Sequence, residues 1–201
     1  MRRIDIELEV QDLDPSLAEE LRQALVGVAD DLAGIAQRHV TEAMPQHLDR
    51  PTPFTQRGIG MRPADPSSEA PESVVDVLPL QREWLSYEIL GGVRRGGDYA
   101  TTRLGPLVPG PDAPRDAYGN LPRTYVRTVL SQPGVAWVTL KGGSGLPVLI
   151  RRRGTGRVEI LARIIREARY QPKLPFYDLV DEAVADHVDA VLADRLAFLS
   201  R

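Results

Sequence analysis

The sequence predicts an α+β protein, a largely antiparallel sheet packed with a long N-terminal helix and a long C-terminal helix, with extended Pro/Gly-rich arms. Two observations predict it. Apolar residues recur at helical spacing near both ends of the chain, and short β-rich runs separated by Gly and Pro fill the middle. At 201 residues the chain reads as a single domain over 1–201. No internal repeat is visible, and 42% hydrophobic residues supply enough apolar surface for a core.

The elements follow in order. Ile4-Asp5-Ile6-Glu7-Leu8-Glu9-Val10 alternates apolar and acidic residues, the pattern of a half-buried strand. Asp14-Pro15-Ser16 reads as an N-cap followed by proline at the first helical position. Leu17, Leu21, Leu25, Val28, Leu32, Ile35 and Ala36 then form a helical stripe running to about Ala43, where Pro45 is expected to stop it. So long a helix must lie across a sheet or reach a neighbour.

Prolines at 51, 53, 63, 66, 71 and 79 change the texture, and an extended arm is expected over 50–72. Within and after it, 57–62 and 74–78 fit two strands of a hairpin. Gln81 to Leu90 reads as a short helix stopped by Gly91-Gly92. The stretch 92–122 shows little periodicity and reads as a long loop. A short helix follows over 123–132, then strands at 135–140 and 147–151 joined by Lys141-Gly142-Gly143-Ser144-Gly145.

Residues 158–166 fit a strand by alternation of Val158, Ile160, Ala162 and Ile164. They also fit a helix by the spacing of Leu161, Ile164, Ile165 and Ala168. The hairpin signal Gly154-Thr155-Gly156 favours the strand. From Pro175 onward, Phe176, Leu179, Val180, Ala183, Val184, Val188, Val191 and Leu192 define the last helix, with Asp178, Asp181 and Glu182 near its positive end.

Enzyme signatures fail. No phosphate loop, H-E-x-x-H or G-x-S-x-G motif occurs, and Gly142-Gly143-Ser144-Gly145 lacks the lysine that a phosphate cradle requires. The carboxylates at 178, 181, 182, 186 and 189 read as a solvated helix face. His187 reads as structural, and His39 and His47 are not at metal-ligand spacing. With no cysteine there is no disulfide frame, thiolate metal site or cysteine nucleophile, and no cofactor is expected. The start, Met1-Arg2-Arg3-Ile4-Asp5, is unlike a signal peptide. No apolar run nears the roughly 18 residues of a membrane span, so a soluble protein of a reducing compartment is expected.

A net charge of −3 argues against a dedicated nucleic-acid packer. The distribution says more. Residues 1–32 carry nine acids against three arginines, residues 141–173 nine bases against two acids, and residues 174–201 six acids against two arginines. An acidic end and a basic middle can attract each other within one fold or between copies, head to tail. The cluster Arg151, Arg152, Arg153, Arg157 and Arg163 fits a solvated strand face, a protein contact, or a nucleic-acid contact. The last lacks interleaved aromatics beyond Tyr170.

Four segments, in order, carry a resemblance. They are Arg50-Pro51-Thr52-Pro53-Phe54-Thr55, Gly91-Gly92-Val93-Arg94-Arg95, Tyr118-Gly119-Asn120-Leu121-Pro122-Arg123, and Tyr170-Gln171-Pro172-Lys173-Leu174-Pro175-Phe176-Tyr177. Together, over residues 15–200, the chain resembles the tail-completion and neck proteins of tailed bacteriophages, of the minor tail protein Z-like type. The resemblance implies a structural virion protein, not an enzyme, at the head–tail junction, completing the tail or joining it to the neck. Tail terminator and head-side stopper are the alternative roles, and a nucleic-acid-binding module using the 151–169 arginines is a remote one.

The implied partners are copies of itself in a ring, often sixfold, tail-tube or terminator proteins, head connector proteins, and DNA in the channel, bound nonspecifically. No membrane is implied. Assembly would occur in the bacterial host cytoplasm, and the protein would reside in the virion. The implied partner contacts are Phe54, Arg94, Arg95 and Tyr118, beside Arg151, Arg152, Arg153, Arg157 and Arg163.

Overall fold

A computed structural model describes residues 4–5, 14–68, 71–154 and 156–200. The strand expected at 4–10 lies outside these residues except for Ile4 and Asp5. The molecule is α+β, with long N- and C-terminal helices and strands that all pair antiparallel. In place of one sheet there are three, of two, two and four strands. Where the sequence reads as one domain, the residues gather into two compact units. The first holds Met1–His47, Pro53–Arg82 and Leu174–Arg201, the second Leu48–Thr52 and Glu83–Lys173.

In the first unit, α1 (Pro15–His47) is about 50 Å long at 1.5 Å per residue. Asp14 caps it as expected, its Oδ1 accepting the Ser16 N–H at 2.7 Å. The expected stop at Pro45 is corrected, because the helix runs two residues further. Pro45 forfeits only the one N–H that would reach the Thr41 carbonyl, and the buried Val40, Ala43 and Met44 hold the last turns in place.

The buried side of α1, including Leu21, Val28, Leu32 and Ala36, packs on α5 (Phe176–Arg195), which contributes Phe176, Leu179 and Ala183. Arg195 Nε donates to Asp31 Oδ2 at 2.6 Å between the two helices. Gly27 makes room for that arginine, since a Cβ there would sit 2.9 Å from its guanidinium.

The arm expected over 50–72 is corrected too. It contains α2 (Pro53–Gln56) and β1 (Ile59–Arg62), and β1 pairs with β2 (Val74–Val77) in the expected hairpin. The hairpin is tied to α1 at several points. Gln37 Nε2 donates to the Ile59 carbonyl at 3.0 Å, and Asp30 Oδ1 accepts the Ala64 N–H at 2.8 Å and the Ser73 hydroxyl. Arg22 donates to the carbonyls of Pro66 and Ser68. A stretch that reads as Pro-rich and open is therefore fastened by polar side chains of the long helix.

Helix α3 (Pro79–Leu90) begins in the first unit and ends in the second, where Gly91 at φ +71° closes it. The expected loop 92–122 is a further correction, because it holds two strands. β3 (Gly92–Arg95) pairs with β8 (Glu167–Tyr170), and β4 (Leu107–Pro109) pairs with β7 (Val158–Ile164). The four-stranded sheet runs β4-β7-β6-β5, with β5 at Val135–Thr139 and β6 at Pro147–Arg152.

One face of that sheet packs under α4 (Tyr125–Leu130). Its core is Val129, Leu149, Leu161 and Ala162, flanked by Leu107, Tyr125, Val135 and Trp137. Leu149 faces Ala162 in the ladder and Ile150 faces Ile160, so Leu161 is a bulge residue. The bulge turns Leu161 and Ala162 to the same, buried side.

Candidate functional site

The candidate surface is the arginine-rich β6–β7 hairpin of the second unit, with Arg151, Arg152, Arg153 and Arg157 near its turn and Arg163 toward its open end. β6 and β7 are joined by the turn anticipated at 154–156, where the Arg153 N–H donates to the Arg157 carbonyl at 2.9 Å and Gly156 sits at φ +78°. This register puts Arg151 opposite Glu159 and Arg152 opposite Val158. Glu159 holds Arg151 at 3.1 Å and Arg153 at 3.0 Å, and Arg151 also donates to Gln132 Oε1 at 2.7 Å. Two of the five clustered arginines are therefore occupied. Arg152, Arg157, Arg163 and the neighbouring Arg166 are exposed and have no ion pair among the described residues.

Arg94 and Arg95 belong to the separate β3–β8 ribbon. Arg95 and Arg169 both hold Glu167, at 3.2 and 2.7 Å, and Arg94 donates to the Tyr99 carbonyl. Phe54 lies in the first unit, half exposed on α2, where its carbonyl accepts from the buried Gln81 side chain at 3.1 Å. Tyr118 sits half exposed on a tight turn whose organiser is Asp116. That carboxylate accepts the N–H groups of Tyr118 and Asn120, each at 2.9 Å, and Gly119 takes φ +83°.

The structure therefore does not bring all nine candidate residues to one patch. Within the second unit, however, it sets the familiar segments together in pairs. Gly91 packs against Pro172 and Tyr170, and Gly119 packs against Arg50, whose guanidinium also donates to the Ala117 carbonyl at 3.4 Å.

Sequence reasoning missed Glu159 and Glu167 as the anions that occupy Arg151, Arg153, Arg95 and Arg169. A signal existed for the first. Arg151 and Glu159 lie symmetrically about the 154–156 turn, so hairpin register alone makes them cross-strand neighbours.

Arginines set the electrostatics. Glu159 is held below the ordinary carboxylate range first by its hydrogen bond to Arg153, then by Arg151. Glu167 is held down chiefly by Arg169, then by Arg95, and Asp31 chiefly by Arg195. A carboxylate whose folded pKa is depressed stabilises the fold above its unfolded value. That stabilisation fades as pH falls through the folded value. Urea midpoints of the protein should therefore hold steady from pH 7 to about 5 and fall below the ordinary Glu value of 4.5. The double variant Glu159→Gln, Glu167→Gln should start lower at pH 7 and show a shallower acid limb. Superimposable pH profiles would dismiss the pairing.

A hollow of about 420 Å³ in the first unit is lined by Asp30, Asp31, Gly34, Ile35, Arg38, Met61 and Val191. Its carboxylates are already engaged, Asp30 by Ala64 and Ser73 and Asp31 by Arg195. His187 Nδ1 lies 2.9 Å from the Ala183 carbonyl one turn earlier, a local helix contact. Among the described residues, no group of three His, Asp or Glu side chains is placed to hold a metal ion, and no helix is long and apolar enough to cross a membrane.

No family model matches the chain, and neither a curated protein nor a solved structure matches it.

Proposed function

We propose that the protein is a structural component of the head–tail junction of a tailed bacteriophage, assembling with copies of itself into a ring that completes the tail or joins it to the neck. The ordered set of four segments supports the location. One observation carries the self-assembly, the division of charge between the two compact units. Over their sequence spans the first unit has nine basic and twenty acidic side chains, a net of −11, and the second has sixteen and eight, a net of +8.

Two patches of opposite sign on one chain form a heterologous pair of surfaces, and such surfaces close into rings when the rotation between copies allows it. The exposed Arg152, Arg157, Arg163 and Arg166 are available to an acidic neighbour, whereas Arg151 and Arg153 are held by Glu159. The protein acts by holding other proteins in place, without a reaction or a cofactor.

Electron microscopy of particles made with this gene disabled tests the reading. Filled heads beside unattached tails of normal length are expected, and intact infectious particles would sink it. Tails of uncontrolled length would point instead to a terminator role, and heads that lose their DNA to a stopper. Nucleic-acid binding is the second reading, favoured by the same four exposed arginines. It requires tight DNA affinity with a steep salt dependence that vanishes when they are neutralised.

A further inference from the structure

The two edges of the four-stranded sheet are unlike. β4 is three residues long and ends in Pro109, a protected edge. β5, Val-Ala-Trp-Val-Thr, has no charge, no proline and no bulge. The Arg152 N–H donates to the Gly134 carbonyl at 2.9 Å, and this fixes the alternation. Residues 134, 136 and 138 turn their backbone groups to β6, while Val135, Trp137 and Thr139 turn theirs outward. Pro147, opposite Thr139, agrees with this, since that pair asks for no N–H toward β5.

The Val135 N–H is used by the Gln132 carbonyl at 3.4 Å. The N–H groups of Trp137 and Thr139, and the carbonyls of Val135, Trp137 and Thr139, have no backbone partner among the described residues. An apolar edge of this kind is a template for one more strand.

We infer that the β5 edge accepts the N-terminal segment Ile4–Val10 of a neighbouring copy as an added strand, an inference that rests on the self-assembling reading above. Two features choose this occupant. Its seven residues alternate Ile, Ile, Leu and Val with Asp5, Glu7 and Glu9, so one side is apolar and the other acidic. The receiving unit carries a net +8, with Lys141 just beyond β5. Arg152 is exposed on the same sheet face as Ala136 and Val138. The apolar side of the segment continues the face of Val135 and Trp137 that packs under α4, and its acids lie on the face of Arg152. Donation is heterologous, since each copy gives a strand at one end and receives one at another, as a ring requires.

Two full-length variants separate giving from receiving. Thr139→Pro removes an outward N–H and spares the ladder to β6, so this copy donates but cannot accept. Ile6→Lys with Leu8→Lys breaks the apolar alternation, so this copy accepts but cannot donate. Mass by light scattering at low salt should show the wild type larger than one 22.2 kDa chain and each variant alone at one chain. An equimolar mixture should form a 1:1 complex of about 44 kDa and nothing larger. Appearance of that complex also shows that both variants are folded.

Two variants that assemble as the wild type does would overturn strand donation and leave the ring standing. A mixture that stays monomeric while the wild type assembles would do the same. A monomeric wild type would overturn both readings.

Discussion

Replacing Gly105 by Ala is expected to lower the stability of the second unit by about 2–4 kcal/mol, among the largest effects of any single methyl group here. Two costs meet at this residue. Its φ is +144°, a conformation that a side chain makes strained, and a Cβ would lie 1.9 Å from the Ile165 carbonyl oxygen. The crowding follows from what Gly105 does. It closes a four-residue turn in which Thr102 N–H and Gly105 C=O bond at 3.0 Å, and the next residue delivers β4 to β7, with the Ile165 N–H on the Pro106 carbonyl at 3.0 Å.

A methyl group in that gap pushes β4 away and uncouples Leu107 from Ile164. Two controls divide the effect. Gly97, at φ +94° with nothing within 4 Å of its Cβ position, carries only the conformational cost, about 1 kcal/mol as Ala. Gly110 carries only the contact, with a Cβ 2.0 Å from the Ile160 carbonyl oxygen. Urea unfolding should rank Gly97→Ala mildest and Gly105→Ala most severe. Equal losses at 97 and 105 would show that β4 is not held close to β7.

These glycines mark the limit of what the sequence reveals. Long, regular periodicity is legible because many residues repeat one message. The stripe from Leu21 to Ala36 lies on the buried side of α1, and Phe176, Leu179 and Ala183 do the same for α5. β3 and β4 stay hidden in a stretch that reads as a loop. They are four and three residues long, and their partners, β8 and β7, lie some seventy and fifty positions away. Neither strand has enough residues to show an alternation.

The arm over 50–72 misleads for another reason. Proline content reports the lack of helix and sheet donors, not the polar clasps that Arg22 and Asp30 supply from 34 to 46 residues away. The candidate surface shows the same division. Its basic character is plain in the sequence, but which arginines remain open depends on Glu159 and Glu167, and so on strand register. The charge imbalance between the two units needs the fold as well, because each unit is assembled from distant segments.

Replacing Leu161 by Ala should cost about 2–5 kcal/mol, because the side chain is fully buried among Val129, Leu149 and Ala162. The position also explains why residues 158–166 fit two periods at once. Val158, Ile160, Ala162 and Ile164 alternate without a break in sequence, yet the bulge changes their side midway. Ile160 faces Ile150 on one surface of the sheet, whereas Ala162 faces Leu149 on the surface under α4. Leu161 is buried beside Ala162 and so is apolar out of step with the strand alternation, and its spacing to Ile164 and Ile165 supplies the helical alternative.

The bulge does electrostatic work too. Were Leu161 instead to take a regular place opposite Ile150, the residues before it would slip by one along β6, and Glu159 would leave the face it shares with Arg151. Thermal unfolding of Leu161→Ala should therefore show a large loss with the Arg151–Glu159 pairing kept, so its acid limb should parallel the wild type's. Deleting Leu161 removes the bulge yet leaves Ile160 opposite Ile150 and Glu159 opposite Arg151, so its acid limb should be kept too. A flattened acid limb in either variant would show that this register does not hold Glu159 to its arginines.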